Sequence, residues 1–290
     1  MTEKQKNIRN RLLVFFIGIP ATLALLIFLP HANHLATAFV VLAVSCIATR
    51  ELSQLFEKEY TQYPGTRFFT PLLGGVFPVF WYLEHSSLMP EGTAFTAGLA
   101  VFALIIGFQG FRRNEALFPH IRSFVPTNIF LTVYPGLFIA HIIRIAFLPH
   151  ATILLIVYVT AVYLNDSTAY ASGMLFGRKN GGVLPISPNK SIAGFGGGFF
   201  ASVVVTTTAW LFAPEVFPGS IFTAIGFGLY LGAATIAGDL AESAIKRSAA
   251  MKDSGNIIPG RGGLLDSIDS LSFAAPFFYF GYQLFFLQGA

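Results

Sequence analysis

Residues 12–29 read LLVFFIGIPATLALLIFL. No charge interrupts the run, and its apolar residues are continuous rather than alternating. A membrane β-barrel strand alternates apolar and polar positions, whereas a run of about 20 apolar residues crosses the hydrocarbon as a helix. In lipid every backbone polar group must be paired within the helix or within a closed barrel, so a continuous run implies a helix. Similar runs recur near 34–49, 68–83, 94–111, 124–143, 149–164, 192–212, 220–241 and 269–287. The expectation is an all-α, polytopic integral membrane protein with about nine transmembrane helices. Composition agrees. The 290-residue chain is 54% hydrophobic and 11% charged, against about 45–50% and about 25% in soluble domains.

The basic N-terminal segment KQKNIRNR (4–11) before an apolar run could mimic a signal peptide. No small-residue cleavage site follows, so the run is read as a retained first helix. The lone Cys46 makes no intrachain disulfide and shows no metal-type spacing. His31 and His34 fall in a short loop and read as solvated.

Charge sets the orientation. With the N-terminus inside, segments 1–11, 50–67, 112–123, 165–191 and 242–268 face inward. They hold 17 of the 18 Lys and Arg residues, and only Arg144 falls outside. Such an excess marks the cytoplasmic side, the inner-membrane cytoplasmic face if the cell is bacterial. The halves differ. Residues 1–145 are expected to form about five spans, a dimer-forming or lipid-facing part. Residues 146–290 carry two long inward segments rich in Gly, Pro, Asp and Lys, and are expected to be a catalytic membrane domain with a polar pocket at the cytoplasmic face.

Three inward stretches concentrate the polar residues: NDSTAYASGMLFGRKNGG (165–182), ISPNKSIAGFGGG (186–198) and GDLAESAIKRSAAMKDSGNIIPGRGGLLDSIDS (238–270). Asp239 lies at the membrane boundary, where an ionised side chain is costly and points to function. Helical periodicity puts Asp239, Glu242, Ser243 and Lys246 on one face. Glu242 and Lys246 could instead be an internal ion pair at i,i+4. Asp266 and Asp269 share a face at the start of the last span, and could instead serve as N-cap and first-turn acid. Asp166 ends an apolar run.

One loop joins the helices of Asp239 and Asp266, so their carboxylates could converge. Converging carboxylates need a positive charge between them. Mg²⁺ takes oxygen ligands and keeps water or substrate phosphates in its other positions. The loop adds Lys252, Asp253, Asn256 and Arg261, with glycines that let backbone approach an anion. In the second stretch Pro188 fixes a turn, Ser191 can cap the next helix, and Lys190 stands where a phosphate is favoured. The glycines of GFGGG suit close helix packing; no GK[ST] follows them and no strand precedes them. Acids for a metal, bases for phosphate and an interfacial position together suggest phosphoryl or nucleotidyl transfer to a lipid.

The third stretch resembles the signature of the phosphatidate cytidylyltransferase (CDP-diacylglycerol synthase) family. Its order S-x-x-K-R, K-D-x-G and P-x-x-G-G-x-x-D-x-x-D is matched by Ser243, Lys246, Arg247, Lys252, Asp253, Gly255, Pro259, Gly262, Gly263, Asp266 and Asp269. The stretches DSTAYASGMLFGR and SPNKSIAG are similar to the family's two other motifs. The motif match covers roughly residues 165–270.

The resemblance implies an α-helical, dimeric membrane enzyme that joins CTP to phosphatidic acid and releases pyrophosphate with Mg²⁺; a second, monovalent cation is left open. It implies no nucleic-acid partner. It implies that Asp239 and Asp266 bind the metal, that Lys246 and Lys252 are catalytic, and that Ser187, Pro188 and Lys190 form a substrate-contacting turn. Asp166, Glu242, Asp253, Asn256, Arg261 and Asp269 complete the expected substrate site. The chain departs from the family at Arg261 (usually His), at Ser267 (usually Arg) and at Asn189-Lys190-Ser191 (often two Lys and a Thr). Arg261 is expected to replace the cation missing at 267. The alternatives are a CTP-dependent polyprenol or lipid kinase, which would release CDP, a cytidylyltransferase on another lipid phosphate, and a secondary transporter. A transporter would place its site at the bilayer midplane, often between inverted repeats; here the acids sit at one face.

Overall fold

The computed structural model describes residues 17–56, 66–111, 113, 115–177, 181–258 and 262–287. Its elements in order are α1 (Ile19–Phe28), α2 (His31–Leu55), α3 (Thr66–His85), α4 (Thr93–Gly107), two 3₁₀ turns (Phe108–Phe111 and Glu115–His120), α5 (Ile121–Leu131), a π-helical turn (Thr132–Phe138), α6 (Ile139–Ala146), α7 (Ala151–Phe176), α8 (Ile192–Phe212), α9 (Ile221–Ser248), α10 (Leu265–Tyr282) and a closing π turn (Gln283–Leu287). Among the described residues there are only two isolated β-bridges, Gly181 with Ser191 and Ile258 with Gly262. The protein is all-α.

Among the described residues seven helical stretches are long and apolar enough to cross a membrane: His31–Leu55, Thr93–Phe111, Glu115–Ala146, Ala151–Phe176, Ile192–Phe212, Ile221–Ser248 and Leu265–Leu287. The two other expected spans fall on α3 and on α1, which has ten described residues. The chain is therefore a multi-pass membrane protein.

The chain divides into two compact units, residues 1–147 with 253–267, and residues 148–252 with 268–290. In the first, α2 and α3 touch backbone to backbone: a Cβ at Gly74 would lie 2.6 Å from the Ser45 carbonyl oxygen. Small residues permit such contact between membrane helices. Pro78 has no N–H to give the Gly74 carbonyl one turn back. The fully buried Ser45 hydroxyl fills the gap, lying 2.7 Å from the Gly74 oxygen and 2.8 Å from the Pro135 oxygen. Pro135 itself sits in the π-helical turn, a usual consequence of an interrupted helical ladder. At the start of α2 the backbone is left-handed at Ala32, Asn33 and His34. His34 is buried at 3% exposure, which corrects the expectation of a solvated loop.

In the second unit α8 lies along α7. A Cβ at Gly198 would meet the Asn165 amide at 2.7 Å, and one at Gly194 the Ala169 carbonyl at 2.9 Å. Gly194, Gly197 and Gly198 of GFGGG thus serve packing, while Gly196 faces open space. Asn165 donates to Ser202 at 2.9 Å between the two helices. Tyr158 donates from α7 to the Leu271 carbonyl of α10. Ser191 caps α8 by accepting from the Gly194 amide at 3.1 Å, and Ser220 caps α9 through Thr223 at 3.3 Å. Phe217, Phe227, Phe278, Tyr282 and Phe286 form an edge-to-face cluster at the far end of this unit.

Ser45→Ala removes the hydroxyl that replaces the missing Pro78 amide. Its expected cost is about 1 kcal/mol, the scale of hydrogen bonds between membrane helices. Thermal unfolding in detergent checks this, and an unchanged midpoint contradicts it.

Candidate active site

The polar residues picked out from the sequence fall into two clusters, one in each unit. In the second unit they are carried by α7, by the C-terminal part of α9, by the N-terminal part of α10 and by the loop before α8. Gly238 makes this possible. A Cβ there would lie 2.6 Å from Phe273 Cβ and 3.2 Å from the Asp269 carbonyl, so α9 and α10 are in contact beside Asp239.

Lys190 is delivered by a compact turn. The Ser187 amide bonds Leu184, the Lys190 amide bonds Ser187, and the Gly182 amide bonds the Lys190 carbonyl, each at 3.1 Å. Pro188 stands at the second position of the turn, where its fixed φ is suited. The Lys190 ammonium forms an ion pair with Asp239. Burial pushes that ammonium below the ordinary lysine value, Asp166 and Asp269 pull it back up, and Lys246 depresses it further. Asp166, Asp239 and Asp269, from three helices, thus share the field of one lysine. Ser270 links two of them: its hydroxyl lies 3.3 Å from Asp166 Oδ1, and its amide donates to Asp269 Oδ1 at 2.7 Å. The Lys190 and Asp239 side chains stay 24% and 31% exposed, so a ligand can reach them.

Glu242 is fully buried and forms the i,i+4 ion pair with Lys246 at 2.6 Å. The alternative ion-pair reading of these two residues is therefore realised. Ser187 is half-buried and Pro188 is exposed, as is Lys252 beyond the end of α9.

The first unit holds the other cluster. Asp266 lies in the first turn of α10, and its Oδ2 accepts from the Ser254 amide at 2.8 Å, the Ser254 hydroxyl at 3.0 Å and the Gly263 amide at 2.7 Å. Asp266 ties the loop together and is not the N-cap of α10. The first amides of α10 are instead satisfied from outside the helix by Glu51 of α2, a residue the sequence did not single out. Its carboxylate accepts from the Leu264 amide at 2.9 Å and the Leu265 amide at 2.8 Å. Its sequence neighbourhood, RELSQ at the end of a span, carries no sign of this partner; the one signal is an acid at the end of an apolar helix. Asp253 and Asn256 are exposed in the loop, and Arg261 lies outside the described residues.

The donors of both clusters are oxygens, which suits a hard divalent cation rather than a soft one. Among the described residues no three His, Cys, Asp or Glu side chains form a closed cage for a metal. A cation bound here would complete its shell with substrate oxygens and water, as Mg²⁺ commonly does.

Lys246→Ala would leave the buried Glu242 without its ammonium partner. Removing one member of a buried pair is expected to cost about 3 kcal/mol. The double variant Lys246→Met with Glu242→Gln is expected to recover most of that loss. Unfolding midpoints of both variants check the pair, and equal midpoints for wild type and Lys246→Ala contradict it.

Residues 9–285 match the model of the cytidylyltransferase family. The chain is 31% identical to a phosphatidate cytidylyltransferase of Bacillus subtilis over 275 residues, covering 92% of this chain and 96% of the relative. It is 31% identical to one of Haemophilus influenzae, covering 95% and 98%. It is 33% identical to one of Thermotoga maritima, covering 84% and 87%. With a match across nearly its whole length, the chain belongs to the cytidylyltransferase family.

Proposed function

We propose that this membrane protein is a phosphatidate cytidylyltransferase that transfers CMP from CTP to phosphatidic acid, giving CDP-diacylglycerol and pyrophosphate. The observation that carries the reading is the gathering of Asp166, Asp239 and Asp269 around Lys190, in a chain of this family. Relatives that share nearly the full length bear that name.

A phosphate oxygen of phosphatidic acid attacks the α-phosphorus of CTP. The new P–O bond forms as the bond to the β-phosphate bridging oxygen breaks, and that oxygen leaves with pyrophosphate. The nucleophile is already an anion, so no side chain need accept its proton. Catalysis then consists of positioning and charge neutralisation. Lys190 exchanges its Asp239 partner for phosphate oxygens, while Asp166 and Asp269 keep its ammonium oriented. Lys246 is held in place by Glu242 and, with Lys252, opposes the charge that grows on the leaving pyrophosphate. Asp239 and Asp266 are the positions assigned to Mg²⁺, which would supply Lewis-acid neutralisation of the triphosphate. The acyl chains stay in lipid while the headgroup reaches the helix ends. A cytoplasm-facing site, an N-terminus on the same side and a homodimer complete the reading.

The test is the fate of label in liposomes containing phosphatidic acid. With α-labelled CTP and Mg²⁺, label is expected in the lipid; with γ-labelled CTP, in pyrophosphate. Label from the γ-phosphate entering lipid would instead identify a lipid kinase. Asp239→Asn and Asp266→Asn are each expected to lower lipid labelling by at least about 100-fold, the scale of losing a charge-stabilising group in a site. Wild-type rates in either variant would remove that residue from the metal assignment.

A further inference from the structure

Glu51 belongs to the half of the chain that carries none of the recognised motifs, yet its carboxylate is 2% exposed and takes two successive backbone amides. Those amides, of Leu264 and Leu265, are the first at the positive end of α10 and would have no partner within the helix. Ser254, itself 1% exposed, offers its hydroxyl to Glu51 Oε2 at 3.4 Å and to Asp266 Oδ2 at 3.0 Å. Glu51 and Asp266 thus grip the same short loop from two sides.

The loop is shaped for this grip. A Cβ on Gly255 would sit 2.7 Å from Glu51 Oε1, and one on Gly263 would sit 2.5 Å from Glu51 Oε2. Gly262 has φ +114°, a left-handed conformation that suits glycine, and a Cβ there would press on Asp266 Oδ2 at 2.5 Å. Three glycines of the motif make room for two carboxylates of the protein itself.

We propose that Glu51 is a positioning residue: by holding the start of α10 and Ser254 it sets where the Asp266 carboxylate is presented to the nucleotide and its cation. The proposal rests on the reading of Asp266 given above. Glutamine cannot replace the glutamate, because its NH₂ would face either the Leu264 or the Leu265 N–H, donor against donor.

The experiment compares full-length wild type with Glu51→Gln in detergent. One readout is the Mg²⁺ dependence of CDP-lipid formation. The other is hydrogen–deuterium exchange over residues 253–267 without nucleotide or metal. The variant is expected to lose about tenfold in turnover and to need several-fold more Mg²⁺ for half-maximal rate, as when an outer-shell partner of a ligand is removed. Its loop amides are expected to exchange faster, while α7 and α8 exchange as in wild type. Unchanged turnover and an unchanged Mg²⁺ midpoint overturn the proposal. So does a loss of rate that follows unfolding alone with the Mg²⁺ midpoint unmoved. If Glu51→Gln does not fold, Ser254→Ala decides: a raised Mg²⁺ midpoint supports the proposal and an unmoved one overturns it. If wild type makes no CDP-lipid, the proposed reaction fails, and the exchange readout still decides whether Glu51 holds the loop.

Discussion

A carboxylate at the end of an apolar helix must be matched by positive charge or by donors, because the medium beside it supplies neither. This chain meets the requirement in two ways. In one unit the acids are met by ammonium groups: Asp239 by Lys190, and Glu242 by Lys246. In the other they are met by backbone amides: Glu51 by Leu264 and Leu265, and Asp266 by Ser254 and Gly263. The difference has a chemical consequence. A lysine can release its carboxylate to a metal ion and be satisfied again by a phosphate. The amides at the start of α10 hold Glu51 as part of the fold.

Glycine has one role throughout. Gly74 and Gly198 let helices approach, Gly238 brings α9 and α10 together beside Asp239, and Gly255 and Gly263 close the loop onto Glu51. At Gly74, Gly198, Gly255 and Gly263 the group that occupies the missing Cβ position is polar or backbone; at Gly238 it is the Phe273 side chain. These glycines therefore place hydrogen-bonding groups as well as save space.

Much of this was legible in the sequence. The apolar runs placed the helices, because hydropathy over some 20 residues is a local property. The turn at Pro188, the cap at Ser191 and the i,i+4 pair of Glu242 with Lys246 were legible because their partners lie within four residues. The cap of α10 was not. Spacing offered Asp266, but the structure uses Glu51, more than 200 residues away in the chain, and no local pattern encodes such a contact. The same distance hid the grouping of 253–267 with the first unit, since a linear reading assigns the loop to the helices that flank it. His34 was misread for a related reason: a short loop was taken as solvated, whereas left-handed residues turn it inward.

The central claim is that Asp239, paired with Lys190 in this structure, is the carboxylate that receives a divalent ion together with the nucleotide. Anomalous scattering from crystals grown with Mn²⁺ and CTP tests it directly. The account predicts a manganese peak at coordination distance from the Asp239 carboxylate, with the Lys190 ammonium moved onto phosphate oxygens. Manganese and CTP bound elsewhere, with Lys190 still on Asp239, would contradict it.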